Sequence, residues 1–446
     1  MRRTKWGGIP DDRFRGSGFF RVDERDGVFW FVDPDGGRFL SKGVNTVRFD
    51  QDHIGNTDRI PYADASRRKY GSQHVWRAAV ANRLAGWKFN TLGCWSDELV
   101  ANAGSSLLAT TSPGAGLGAS FRLHRRDEIF PDVFDPGFLG HIRASAKDHC
   151  MKRCNDAGLL GTFVDNELYL SPDWRGSDEL LTLFLNLPAH RPGRVAATMR
   201  LEERYREFSQ FNAVWRTPVQ SWEEFGNIGH VKAPFFRASP GSLNAALEAK
   251  ANLADPMRAA FFADCDAFVA VVAEQYFELC AAAIRAADPN HLVIGSRFGS
   301  QPHPNVIAAA GRYLDVVSFN YYDFDPSAVI DAYAAGEKPC LISEFSFRGD
   351  DSGLPNTSGG GPRVASQVER AQCFERYVTA ALRKPAVVGY HWFEHADQPA
   401  EGRFDGENSN FGLVTVEDEV YEELTEAMTR VNATAEQLHA KAASAA

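Results

Sequence analysis

Two glutamates stand where a carboxylate can do chemistry. Glu167 closes the run Thr162-Phe-Val-Asp-Asn-Glu167, and Glu344 closes Leu341-Ile-Ser-Glu344. Both runs read as β-strands that end in polar residues. A charge at the C-terminal end of a parallel strand faces the mouth of a sheet or barrel, where core packing does not explain it. A lone strand-end glutamate is commonly a salt-bridge or loop partner. Two of them, each beside aromatics and on strands that lie across a barrel from one another, point instead to paired catalytic carboxyls. At a separation of about 5–5.5 Å such a pair suits a retaining glycosidase, one group acting as acid/base and the other as nucleophile.

The elements that must carry them alternate strand and helix, the signature of an α/β fold with parallel strands. Strand-like runs occur at 39–47, 90–96, 106–111, 159–167, 292–298, 315–322, 339–347 and 387–393, which makes eight. Amphipathic helical patterns lie at about 74–87, 137–155, 256–287, 304–312, 326–335 and 365–383, with a last one near 419–437. Eight strands with intervening helices predict a (β/α)₈ TIM barrel rather than an open doubly wound sheet. Glu167 then ends the fourth strand and Glu344 the seventh. A Gly-x-Gly-x-x-Gly turn after the first strand is missing, and Gly114-Ala-Gly-Leu-Gly118 follows Ser112-Pro113, so it reads as a loop. Short aromatic or β-branched runs at 18–22, 28–33 and 38–41 form an N-terminal β segment (18–37) ahead of the barrel. The interval 170–255 exceeds any simple crossover and reads as a helical insertion after the fourth strand, on the side where barrel active sites are built. The Ala-rich tail 433–446 reads as frayed helix. The 446 residues on this reading form one domain, since barrels absorb such lengths.

A net charge of −10 argues against nucleic acid or an anionic membrane surface as the main partner. Aromatics reach 12%, with 32 Phe, 9 Trp and 12 Tyr, a high load for a soluble chain; some of it fills the core, and aromatic faces also stack on the C–H faces of sugars. The seven cysteines are odd in number and sit inside apolar segments, as buried thiols of a reduced protein do. Cys150 and Cys154 share a helical face but have no second pair with which to hold zinc. No apolar stretch follows Arg2-Arg3, and no run approaches 18 apolar residues, so a cytoplasmic, membrane-free protein is expected. His391-Trp-Phe-Glu-His395 spells a zinc-protease motif, yet that chemistry needs a helix. On a strand the two histidines stand about 13 Å apart and cannot clamp one ion.

The motifs together resemble a known family. Phe163-Val-Asp-Asn-Glu167 is similar to the acid/base motif of clan A glycoside hydrolases, and Ile342-Ser-Glu-Phe345 to their nucleophile strand. The closest resemblance is to family 50, the β-agarase family. It extends over Val28–Asn45, Asn90–Asp97, Ser318–Tyr322, Gly389–Pro399 and Gly402–Gly412, roughly residues 18–430 in all. The segment Tyr205–Trp215 is similar to one in family 42 β-galactosidases. This resemblance implies that Glu167 is the general acid/base and Glu344 the nucleophile. Asn166 would then bond the sugar 2-hydroxyl, Tyr322 would hold Glu344, and Trp392 would lie under the sugar at the cleavage point. Asn45, Trp95, Arg297 and Asn320 end other strands and are expected rim contacts. Asp397, Arg403, Glu407 and Asn408 follow the eighth strand and either touch substrate or order that loop. The mechanism needs no cofactor and no metal. Members often carry a separate carbohydrate-binding β-domain and a secretion signal, for which this chain has no room. Exo-acting removal of β-linked, galactose-type sugar from imported oligosaccharides is therefore expected. The alternatives are a β-galactosidase or other β-glycosidase acting on non-agar oligosaccharides, and a non-catalytic carbohydrate-binding barrel. The oligomeric state is not legible.

Overall fold

The computed structural model describes residues 3–11, 14–112, 116–123, 130–237, 254–299 and 301–444. Its centre is one sheet of eight parallel strands: Ser41–Val44, Thr91–Leu92, Ala109–Ser112, Leu159–Thr162, Leu292–Val293, Val317–Asn320, Cys340–Phe345 and Val387–Trp392. Each pairs with its neighbour in sequence, and the eighth pairs with the first. The fifth and sixth meet through a Phe298–Phe319 bridge, where Asn320 N–H donates to the Phe298 carbonyl at 2.8 Å. All eight anticipated strands are present in a TIM-like core, although most are shorter than their hydrophobic runs.

Two apolar layers fill it. Leu160, Ile294, Val316, Leu341 and Val388 point inward, and they pack with Trp6, Phe20, Phe31 and Phe39 of the N-terminal segment. That segment is an antiparallel sheet of Ile9–Pro10, Gly37–Phe39, Val28–Val32 and Arg21–Arg25, and it plugs the end of the barrel away from the two glutamates. It starts earlier than the expected 18–37 and places its first long strand at 21–25 instead of 18–22. The second layer lies between the strands and the surrounding helices.

The 32-residue helix Pro256–Ala287 matches its pattern, with Pro256 at its first turn and the Asp255 carboxylate accepting from Met257 N–H at 2.9 Å. It is long and apolar enough by composition to cross a bilayer, which the count of uninterrupted apolar residues missed. Here its apolar stripe, including Phe261, Phe268, Val272 and Ile284, is spent on the core. Its Asp264 lies buried, taking hydrogen bonds from Tyr205 and Trp215. Those two residues belong to the segment after the fourth strand, whose helices Leu180–Leu185, Pro192–Arg204 and Phe208–Trp215 pack on the long helix, while Trp222–Gly226 packs on Pro192–Arg204. Trp215 is wholly buried there and Trp222 packs on Phe211, so neither lines a sugar site.

Two further expectations change, and one helix is new. Helix Leu117–Leu123 begins inside the expected 114–118 loop, of which 114 and 115 lie outside the described residues. Helix Pro61–Tyr70 had no clear apolar pattern to announce it. The C-terminal helix Glu422–His439 is docked, not frayed: Leu424, Met428, Val431 and Ala435 are buried, and a short 3₁₀ turn follows at Ala442–Ser444. Residues 445–446 lie outside the described residues.

Candidate active site

At the mouth end, the seventh strand breaks its alternation. Ile342 and Phe345 are three apart yet both face the helix layer, because the register slips between them. The slip turns Glu344 into the mouth, as a bulge beside a functional site does. The Tyr322 hydroxyl donates to its Oε1, and the Arg297 guanidinium donates to its Oε2. Burial pushes the Glu344 carboxyl above its ordinary range, while the Arg297 charge and the Tyr322 hydrogen bond pull it back toward ionisation.

Glu167 sits across from it in a left-handed backbone conformation, φ +51°. Arg297 at the end of the fifth strand has φ +47° and Trp95 after the second has φ +61°. Three non-glycine residues in this region cost about 1–3 kcal/mol each, and such strain collects at functional sites. Local bonds offset part of it: Glu167 N–H donates to the Arg297 carbonyl at 3.1 Å, and Arg297 N–H to the Ser318 hydroxyl at 3.0 Å. The Glu167 side chain accepts from Asn320 Nδ2 at 2.8 Å. Ser343 Oγ donates to Asn320 Oδ1 at 2.8 Å, which fixes the Asn320 amide so that its NH₂ faces Glu167. Burial, and then the charge on Glu344, lifts the Glu167 carboxyl to about 7. One carboxyl is thus biased to keep a proton near neutrality, while the other holds two donors that favour its anion.

Asn166 is exposed, and its Oδ1 accepts from Arg297 Nε at 2.8 Å. That bond orients the amide and leaves Nδ2 for a ligand. Asn166, Glu167, Asn320, Tyr322 and Glu344 therefore converge on one network, with Arg297 beneath it.

The other anticipated contacts lie elsewhere. Arg297 is fully buried between the rings of Trp95 (4.6 Å) and Phe163 (5.2 Å), so it positions Glu344 and Asn166 and is no rim contact. Trp95 stays partly open, with one face covered by that guanidinium. Trp392 is fully buried and turned outward, against Phe345, Phe374 and the Arg370 guanidinium, with its indole N–H on the Phe411 carbonyl. It cannot lie under a sugar. Strand alternation put Trp392 on the same face as Tyr390, a signal that was legible. Asn45 is buried too: its Nδ2 bonds the Ser343 and Trp392 carbonyls and its Oδ1 accepts from Cys94 N–H, tying four strands together below the mouth.

After the eighth strand, Asp397 is buried and accepts from Asn410 Nδ2, Gly412 N–H and the Tyr421 hydroxyl, which makes it a loop anchor. Asn408 likewise accepts from Thr357 and Ser358 backbone N–H groups, joining the loops after the seventh and eighth strands. Glu407 remains partly open and pairs with Arg403 at 2.7 Å and Gln398 at 2.9 Å; its charge is felt by both Glu344 and Tyr322. The two histidines of the zinc-like motif have separate partners, Ser41 Oγ for His391 (2.8 Å) and the Arg83 guanidinium for His395 (3.3 Å). Burial lowers both to about 3, and their ring nitrogens do not converge.

Sequence reasoning overlooked Asp165 and Ser343. Asp165 accepts from Gly118 N–H (2.6 Å), Ala119 N–H (3.2 Å) and the Tyr276 hydroxyl, bracing the turn that carries Glu167. Its place two residues before Glu167, in an apolar run, was the available clue.

No family model matches the chain. Two curated relatives come from Vibrio sp. (strain JT0107). They are β-agarase B, 27% identical over 500 residues, and β-agarase A, 27% identical over 508 residues. The alignments take in 96% of this chain but 50% and 48% of those proteins, so the chain spans about half the length of the curated relatives it matches. Among solved structures, an exo-β-agarase superposes with a TM-score of 0.78 at 23% identity, over 98% of this chain and 67% of that one. The agarase AgWH50C superposes at 0.76 and 25% identity, over 99% and 68%.

Proposed function

We propose that this chain is a β-glycoside hydrolase of the family 50 agarase type, acting on agar-type oligosaccharides by a retaining mechanism. The observation that carries this reading is the unequal pair of carboxyls: Glu167 lifted to about 7, and Glu344 gripped by Arg297 and Tyr322. In the first step Glu344 attacks the anomeric carbon while Glu167 gives its proton to the departing glycosidic oxygen. In the second, Glu167 as carboxylate takes a proton from water, which attacks the glycosyl–Glu344 ester and releases the sugar with its configuration kept. Asn166 Nδ2 donates to the 2-hydroxyl, a contact that strengthens as positive charge develops on the ring.

The similarity to the two β-agarases supports the substrate class, and the likeness to the exo-β-agarase supports cleavage from a chain end. A galactosyl unit as the sugar that forms the ester is part of the same proposal, as is a cytoplasmic setting, where the seven unpaired thiols would stay reduced. A β-galactosidase or other β-glycosidase acting on non-agar oligosaccharides is the runner-up.

The test has three steps. Defined agaro-oligosaccharides and aryl β-glycosides are digested and the products are followed in time. Terminal release with retained configuration is expected; random cleavage of polymer would remove the exo assignment. A 2-fluoro glycoside should then label Glu344, found by peptide mapping. Finally, E344Q should lower turnover by about 10⁴-fold or more, and unchanged turnover in that variant removes Glu344 as nucleophile.

A further inference from the structure

Most tryptophans of this chain are spent on packing, and Trp174 is the exception: it is 66% exposed. An indole left in water forgoes the gain of burial, so its surroundings should explain it. They are built to hold the ring out. Asp173 and Gly176 form an antiparallel bridge, with N–H···O contacts of 3.1 and 3.2 Å in the two directions. The nearly buried Asp173 carboxylate accepts from Arg175 N–H at 2.8 Å and pairs with the Arg175 guanidinium. That guanidinium covers one face of the Trp174 ring at 4.7 Å and reaches the Tyr169 ring at 5.7 Å. From below, the Tyr169 hydroxyl donates to the Gly176 carbonyl (3.0 Å) and the Asp178 carbonyl (2.6 Å). One indole face is backed and the turn beneath it is stapled.

The turn belongs to the loop that leaves the fourth strand, seven residues after Glu167. That loop rises from the C-terminal end of its strand, the rim on which a barrel builds its site, so the turn stands on the Glu167 side of the mouth. An acid/base group protonates the oxygen that joins the cleaved sugar to its leaving group. Whatever stands on its outer side meets the leaving-group sugars. A rigid, half-covered indole offers such a sugar a flat apolar face for its axial C–H groups, at little entropic cost.

We propose that Trp174 is the platform of a leaving-group subsite, binding a neutral pyranose unit of the departing oligosaccharide, with Arg175 and Asp173 as positioning residues. The inference rests on the glycosidase reading above and extends it to the specificity for chain length.

The experiment separates the two. Wild type, W174A and W174F are assayed on β-galactosyl fluoride, which has no leaving-group sugar, and on agaro-oligosaccharides of increasing length. W174A should hydrolyse the fluoride as wild type does, while its kcat/KM on the longer oligosaccharides falls about tenfold or more. W174F should recover most of that loss. In parallel, calorimetric titration of an agaro-tetrasaccharide into E344Q and into E344Q/W174A should show about tenfold weaker binding in the double variant. Equal oligosaccharide kinetics, or equal affinity in the two titrations, overturns the platform while the glycosidase reading stands. A matching loss on the fluoride also overturns it, because the indole would then act at the cleavage point or on the fold. Wild type inert toward the fluoride and every oligosaccharide removes the glycosidase reading, and the subsite with it.

Discussion

Glu167 and Glu344 are chemically the same group, and only their neighbours set them apart. In the proposed mechanism Glu167, lifted to about 7 by burial and the facing carboxylate, must be protonated to act as an acid. The expected kcat/KM therefore falls as pH rises through about 7, and the E167Q profile should lack that limb. A pH–rate series on one aryl glycoside checks both. The same shift bears on stability. The folded pKa of Glu167 lies above its unfolded value of about 4.5, so the native state binds more protons and loses stability as pH rises from about 4.5 to 7. Wild type should lose more stability than E167Q between pH 4 and pH 8, measured by thermal melts. Arg297 acts one step away from the chemistry. Its planar fork serves Asn166, the Ser343 carbonyl and Glu344 at once, a geometry that lysine cannot copy. R297K should lower kcat by about 10²-fold with KM nearly unchanged. It should also move the acidic limb of the pH profile upward, because Glu344 loses part of the charge that favours its ionisation.

At the scale of elements, the site depends on places where strands depart from regularity. The slip between Ile342 and Phe345 turns Glu344 inward, and positive φ at Glu167 and Arg297 sends two strand ends toward one another. Glycines make room for the result. A methyl group at Gly299 would lie 2.8 Å from the Glu167 carboxyl carbon, and one at Gly361, where φ is +84°, would lie 2.9 Å from the Tyr322 ring. G299A is expected to lower kcat by about 10²-fold, as displacement of a reacting group by an ångström does. Its melting temperature should stay close to that of wild type, since Glu167 moves more readily than backbone. A variant with full kcat would show that Glu167 tolerates the displacement.

At the scale of the whole molecule, the barrel is held from below. Lys42 in the first strand donates to Glu436 at 2.7 Å, and both side chains are buried. Arg3 reaches the same carboxylate, Tyr390 donates to Asn432, and His439 bonds carbonyls of Phe29 and Leu382. The C-terminal helix thus clasps the first and eighth strands and the N-terminal sheet. Removing one member of a buried pair strands the other charge, so E436Q should cost about 3–5 kcal/mol, read from denaturant midpoints. The kcat of the folded fraction should hold, because the pair lies at the end of the barrel remote from Glu344.

Eight hydrophobic runs with helical patterns between them, and a carboxylate at the end of two of those runs, are local properties. They follow from periodicity and residue type, so the sequence by itself determined the strand order, the long helix at 256–287 and the place of Glu167 and Glu344 at the ends of two strands. The direction of a side chain at a strand end is not local. It depends on register against the next strand and on what the helix layer offers. That is why Trp392 turned out to lie in the helix layer, and why Arg297, Asn45 and Asp397 were spent on the backbone and loops beneath the mouth. Only the tertiary structure decided which groups face the opening, because a one-residue slip such as that at Ser343 and Glu344 reverses the face on which every following residue lies.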